Sequence, residues 1–352
     1  MGTVLVRRPA RIAAPAVEAG EVTIVDPPRP QPTPPAAIGA SMIIMPVLAG
    51  GGGLLMAITN ANPLAAAAGG LFLVAAVAVG VVMLVGQRTG PRRQLREARE
   101  RYLDYLEELR RRLRRTVAAQ RAAAGWRHPD PARLPDLARN PARRWERRAG
   151  DPDFLVVRVG VGDRPIATRL SMSADDGPLN EFDPVCLEIA KALRHRYATV
   201  RDQPASLDLT RVGVLSVVGD RDTGRALAQA LIAQLVTFHA PPELRIGLVR
   251  SGRQARHWEW AKWLPHHQHP TRTDGPLPAR LVAGSVAALA ELIAPDLGAR
   301  LSAHQRRRGQ PSEQRERLVV VVDGEHLPGV WGLEPPEPGI GLADLGVHVI
   351  LC

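Results

Sequence analysis

Residues 30–87 carry no charged side chain, and this run constrains the fold more than any other feature of the chain. A helix in a soluble core averages about 11–12 residues, whereas one bilayer crossing takes about 20 apolar ones, so a run of this length reads as two crossings. Asn60, Asn62 and Pro63 divide it. The sequence therefore predicts transmembrane helices over about 38–58 and 64–85, within a membrane segment 38–86, with a tight turn at 59–63 and an N-terminal segment over 1–37. Arg7, Arg8, Arg11 and Arg29 precede the pair, Arg88, Arg92 and Arg93 follow it, and the turn has no basic residue. That asymmetry predicts a two-pass protein of the inner membrane with both termini in the cytoplasm. Glycines 50–53 and the small residues 65–70 suit close helix packing in lipid. A signal peptide is the competing reading of 42–58, with a small-residue site at 61–68; its apolar region starts late, follows a proline-rich stretch and is followed at once by a second span. Before the run, 21–26 alternates like a short strand, and the prolines of 27–35 predict an extended linker.

The formal charge of +11 would ordinarily raise nucleic acid as the partner. Residues 88–150 alone hold 19 arginines against 8 acidic residues, which is the entire excess. The rest of the chain is neutral, so no nucleic-acid partner is expected. Within the basic stretch Leu95, Ala98, Tyr102, Leu106, Leu109, Leu113 and Val117 recur at intervals of three and four. They fall on one face of a helix of about 30 residues, which predicts a basic helical stalk over 87–148. Arg110, Arg111, Arg112, Arg114 and Arg115 crowd its later half. They read as a solvated juxtamembrane face, with contact to anionic lipid or an acidic partner as the second reading; the interleaved aromatics of a single-strand platform are missing. Cys186 and Cys352 are too few for a disulfide framework and read as free thiols.

From residue 211 onward the pattern changes to alternating strands (212–218, 244–249, 318–322) and amphipathic helices (225–238, 286–304). This predicts an α/β domain over 149–352, doubly wound around a largely parallel sheet, with any ligand at the carboxyl ends of the strands. After the first strand comes Gly219-Asp220-Arg221-Asp222-Thr223-Gly224-Arg225-Ala226, the frame of a Walker A loop, GxxxxGK(S/T). Arg225 stands where the phosphate-reaching lysine belongs, and Ala226 where a hydroxyl would ligate magnesium. Asp220 and Asp222 add negative charge where backbone N–H groups would cradle a triphosphate. The strand LVVVVD over 318–323 has the Walker B shape, with Asp323 at the magnesium-linked position, Gly324 where an acid is usual and Glu325 one residue further on. Gly219, Gly224, Arg225, Ala226 and Asp323 together predict a degenerate nucleotide site with no catalytic residue and no cofactor of its own. His266, His267 and His269 lack a cysteine or carboxylate at ligand spacing and do not read as a metal site.

Two segments carry a resemblance. Residues 145–162, WERRAGDPDFLVVRVGVG, with Trp145 and Phe154, and residues 258–270, WEWAKWLPHHQHP, with Trp258, Trp260, Trp263 and His266, resemble signatures of the EccC-type ATPases. These are FtsK/SpoIIIE-like motor subunits of type VII (ESX) secretion systems. The order of two spans, basic stalk and α/β domain is similar to the family's N-terminal third, so the resemblance covers essentially the whole chain. It implies structural or interface roles for the signature residues. It also implies later ATPase domains that hold ATP and Mg²⁺, other membrane components of the secretion complex as partners, and self-association into a hexamer. With a strand at 347–351, the α/β domain is expected to be cut short at 352. Two other readings stay open: an active FtsK-like ATPase or DNA translocase, which would want the missing lysine and hydroxyl, and a membrane scaffold unrelated to secretion.

Overall fold

In the computed structural model the described residues are 6–30, 48, 51, 52, 55, 59, 63–173, 182–306, 316–324, 337 and 339–352. The expected first span, its turn and Glu325 lie almost wholly outside them. Along the chain run β1 (Gly20–Ile24), α1 (Pro63–Arg127), α2 (Leu134–Arg139), β2 (Val156–Pro165), β3 (Thr168–Met172), α3 (Pro184–Arg196) and β4 (Thr199–Asp208). They are followed by β5 (Val214–Ser216), α4 (Arg221–Phe238), β6 (Leu244–Arg250), β7 (Gln268–Asp274), β8 (Leu277–Arg280), β9 (Val282–Ala283), α5 (Val286–Arg306), β10 (Arg317–Asp323) and β11 (Val347–Leu351). The chain folds into two compact units, one of Val17–Gln120 with Pro165–Val200, the other of Met1–Ala16, Arg121–Arg164 and Arg201–Cys352.

In the first unit a strand from before the uncharged run pairs with one from after it. β1 lies parallel to β3, from Gly20 opposite Thr168 to Ile24 opposite Met172. Tyr102, Leu106, Leu109 and Leu113, spaced 4, 3 and 4 along α1, are buried with Ile24, Ile166, Cys186, Ala190 and Leu193. This is the apolar stripe expected of an amphipathic helix. Arg111, Arg112, Arg114 and Arg115 point to solvent between these positions, Arg111 within 3.4 Å of Glu108. α3 starts at an N-cap, the carboxylate of Asp183 accepting from the Cys186 N–H at 3.0 Å, with Pro184 in the first turn. The second expected span and the stalk face share one 65-residue helix, α1. Leu64, Leu71, Phe72, Val74, Val79 and Val82 are exposed along its uncharged turns. Among the described residues no helix is long and apolar enough to cross a membrane, several positions of those turns lying outside the description.

The second unit is a wound α/β structure. Its sheet has the order β5-β11-β10-β6-β9, and every pair in it is parallel. Alternation along β10 feeds both faces: Val319 and Val321 pack under Ala228, Leu231, Ile232 and Leu235 of α4. Leu318, Val320 and Val322 pack under Leu289, Ile293 and Leu297 of α5. A strand buried on both faces must be apolar throughout, which is why LVVVV reads so clearly. β5 is shorter than the seven-residue strand expected at 212–218, because the Val212 N–H turns back to the Leu209 carbonyl at 3.1 Å and only 214–216 pair in register with β11.

Candidate functional site

The carboxyl ends of β5, β10 and β11 bring the predicted site residues together. Gly219 takes a left-handed φ of +143°, a conformation glycine adopts at little cost. Asp220 then caps α4: its carboxylate accepts from the Thr223 N–H at 2.9 Å and the Thr223 hydroxyl at 2.8 Å. The helix therefore begins at Arg221, four residues before the start expected from the sequence, and Gly224, Arg225 and Ala226 lie inside it. The Gly224 N–H is already spent on the Asp220 carbonyl at 2.8 Å. An anion at a helix N-terminus needs free backbone donors; here the Asp220 carboxylate occupies that role, and those hydrogen bonds hold it below the usual carboxylate range.

One turn into α4, Arg225 is buried against the strand ends. Its Nε donates to Asp323 Oδ2 at 2.7 Å, Nη1 to Asp222 Oδ1 at 2.9 Å and Nη2 to Gln254 Oε1 at 2.9 Å. Trp258 Nε1 donates to the same Asp323 oxygen at 2.8 Å. The side chain of Arg225 is 5% exposed and that of Asp323 0%. The hydrogen bond to Asp323 raises the arginine above its ordinary range against the cost of burial. Arg225 and Asp323 thus neutralise each other. Beside them Cys352 is a half-buried thiol, pushed up to about 12 by desolvation and by Asp323. Gln254 and Trp258 complete this cluster from the 3-10 helix (Gly252–Trp263) that carries them; no sequence signal pointed to their partners.

The tryptophans differ in burial. Trp258 is in the core, stacked 6.2 Å from Trp260, while Trp260 is 36% and Trp263 79% exposed. His266, His267 and His269 follow, all buried. His266 Nε2 bonds the His239 carbonyl at 2.8 Å and His269 Nε2 the Leu292 carbonyl at 3.3 Å. Among the described residues no group of three or more His, Cys, Asp or Glu could hold a metal ion.

The other signature closes two helix ends. Trp145, at φ +58°, donates its N–H to the Thr237 carbonyl at 2.8 Å and its indole N–H to the Val236 carbonyl at 3.1 Å. The Arg147 N–H bonds the Phe238 carbonyl at 2.9 Å. These are last-turn carbonyls of α4, which have no partner within the helix. Guanidinium groups do the same for α1: Arg143 Nη2 donates to the Trp126 carbonyl at 2.8 Å and Arg147 Nη2 to that of Arg127; just past the helix, Arg158 Nη1 donates to the His128 carbonyl at 3.4 Å. Arg143 also lies over the Trp126 ring at 3.9 Å and Arg147 over Phe238 at 4.4 Å. Burial lowers Arg147 to about 10. These arginines read from sequence as part of a basic stretch; their position just past a helix end was the available signal. Phe154 is buried edge-on to His239, 4.9 Å between ring centres. His239 Nε2 accepts from the Leu155 N–H at 3.0 Å while Nδ1 bonds the Leu235 carbonyl at 2.9 Å. That pair of contacts selects the neutral tautomer with the proton on Nδ1.

No protein-family model matches the chain. Relatives do: the ESX secretion system protein EccC of Thermomonospora curvata is 32% identical over 327 residues, 92% of this chain and 24% of that protein. The ESX-4 secretion system protein EccC4 of Mycobacterium tuberculosis is 42% identical over 193 residues, 55% of this chain and 16% of its own length. The ESX-3 secretion system protein EccC3 of the same organism is 36% identical over 251 residues, 71% of this chain and 18% of its own. The chain thus spans about a quarter or less of the length of these three relatives.

Proposed function

For a chain that belongs to the EccC-type family of ESX secretion proteins, we propose the role of membrane anchor, stalk and first, catalytically degenerate ATPase-like domain of a type VII secretion motor subunit. On this reading the chain fixes the motor to the inner membrane, and ATP and Mg²⁺ act in later domains. Its partners are the other membrane components of the secretion complex, further copies of itself in a hexameric ring, and anionic lipid along the arginine-rich face of α1. The boundaries are 1–37, 38–86, 87–148 and 149–352. Trp145, Phe154, Trp258, Trp260, Trp263 and His266 serve structure and assembly, and the frame Gly219, Gly224, Arg225, Ala226 with Asp323 is a degenerate Walker pair.

The observation that carries the topology is the pairing of β1 with β3 across the uncharged run. A strand before the run and a strand after it share a sheet, so both flanks lie on one side of any membrane and the number of crossings between them is even. Two crossings fit the run's length, and the exposed apolar side chains of α1 from Leu64 to Val82 are the surface lipid would cover.

The test is labelling with a membrane-impermeant maleimide. With Thr59→Cys in the turn and Ile12→Cys in the N-terminal segment, intact cells should label position 59 only, and position 12 should react after permeabilisation. Labelling of position 12 in intact cells, or of neither position, would overturn the two-pass arrangement.

A further inference from the structure

The N-terminal segment lies on the second unit. Arg8 forks onto Glu243, Nη1 to Oε2 at 2.8 Å and Nη2 to Oε1 at 3.0 Å, with Nη1 also 3.4 Å from the Trp145 carbonyl. Arg11 forks onto Asp153, Nη1 to Oδ1 at 2.8 Å and Nη2 to Oδ2, and lies 3.0 Å from Asp151. Arg148 Nη2 reaches the Pro9 carbonyl at 3.4 Å. Residues 6–16 have no secondary structure of their own, so these forks are what fix the segment's position. Paired donors on a planar guanidinium match a carboxylate in direction as well as charge. The acidic notch is continuous with the socket that holds α1: Asp153 is shared by Arg11 and Arg147, and Arg143 and Arg147 cap the last carbonyls of α1.

We propose that residues 143–153, with Glu243, form a two-sided clasp. One side docks the segment preceding the uncharged run through Arg8 and Arg11; the other grips the helix that follows it through Arg143 and Arg147. Arg8 and Arg11 are then a docking motif as well as flanking positive charge. The mechanical consequence rests on the anchored reading above: residues 6–16 and the C-terminal end of α1 are tied to each other inside the α/β unit. The docking itself holds whether or not the run sits in a bilayer.

Trypsin reads the clasp directly in the detergent-solubilised full chain, because cleavage after Arg11 requires that side chain to leave Asp153 and Asp151. Where opening is faster than cleavage, the rate tracks the open population. Glu243→Gln removes one fork and leaves the Arg11 site intact. It should speed cleavage after Arg11 by about ten-fold with no change in the thermal unfolding midpoint, and added salt should speed cleavage of the parent chain only weakly, since part-buried pairs are screened much less than exposed ones. The exchange Arg8→Glu with Glu243→Arg should bring the rate back toward that of the parent. Unchanged cleavage in Glu243→Gln, or an exchanged pair that stays as labile as the single variant, would overturn the clasp. If Glu243→Gln fails to fold, Arg8→Gln, which alters only the docked segment, decides in the same way. Extraction at alkaline carbonate is scored separately: a chain that leaves the membrane while Arg11 stays protected contradicts the anchor and leaves the clasp standing.

Discussion

Arg225 is where a single side chain decides the chemistry. A lysine at this place would present a compact charge on a flexible stem, whereas the guanidinium spreads five donors in a plane and reaches Asp323, Asp222 and Gln254 at once. If the loop is the degenerate Walker frame proposed above, Arg225→Lys with Ala226→Ser is expected not to make a phosphate cradle, because Asp220 still spends the loop donors. Calorimetry of the full chain with Mg-ATP should give no heat of binding for either the parent or the double variant, and the double variant should unfold at lower temperature. Arg225→Ala should cost roughly 3 kcal/mol or more, since removing one member of a buried pair leaves Asp323 charged and unmatched. Micromolar binding by the parent would make this a working nucleotide site; binding by the double variant alone would mark a latent one.

The element that links the two clusters is α4, whose N-terminus is set by Asp220 and whose last carbonyls are closed by Trp145 and Arg147. Asp220→Ala should fray the first turn at a cost of about 1 kcal/mol, seen as a midpoint about 2–4 °C lower for a unit of this size; no change in the midpoint would mean that Arg225 alone holds the turn. The capping signal was legible only in the residue type of Asp220, aspartate being favoured at helix starts. Gly219 and Gly224, read as loop glycines, hid it. β6, β10, β11 and α5 were legible almost to the residue, because a strand buried on both faces and a helix with a long apolar stripe leave strong periodic patterns. The placement of Asp323 at a strand end was legible for the same reason. What the sequence did not carry were pairings between distant residues. Arg143 and Arg147 looked like members of a charged run until α1 was seen to end against them, and the partners of Arg8, Arg11 and Asp323 lie 65 to 235 positions away.

At the scale of the whole molecule the basic composition proves to be two kinds of charge. One kind faces solvent along α1; the other is consumed internally, and it surrounds histidines that have no room for a proton. Burial, with Arg147 adding to it, pushes His128 down to about 4 and His239 to about 3, and burial pushes His266 and His267 to about 4. An unfolded chain would titrate all four near 6.5. Between that value and about 4 the unfolded state binds more protons than the folded one, so stability rises with pH across this window. The contribution is complete above pH 6.5 and is lost as pH falls through 4. The slope is about 1.4 kcal/mol per pH unit for each histidine that titrates only on unfolding. Asp153 and Asp183 do not confuse the measurement: burial opposes their charge, but Arg11 and Arg99 hold them below the usual carboxylate range, so their loss comes at lower pH. The urea midpoint of the full chain should therefore fall steadily from pH 6.5 to 4.5, and His266→Gln should flatten part of that fall. A midpoint independent of pH over the same range would mean that the histidines accept protons within the fold and that the sockets around Trp145 and His239 are open to water.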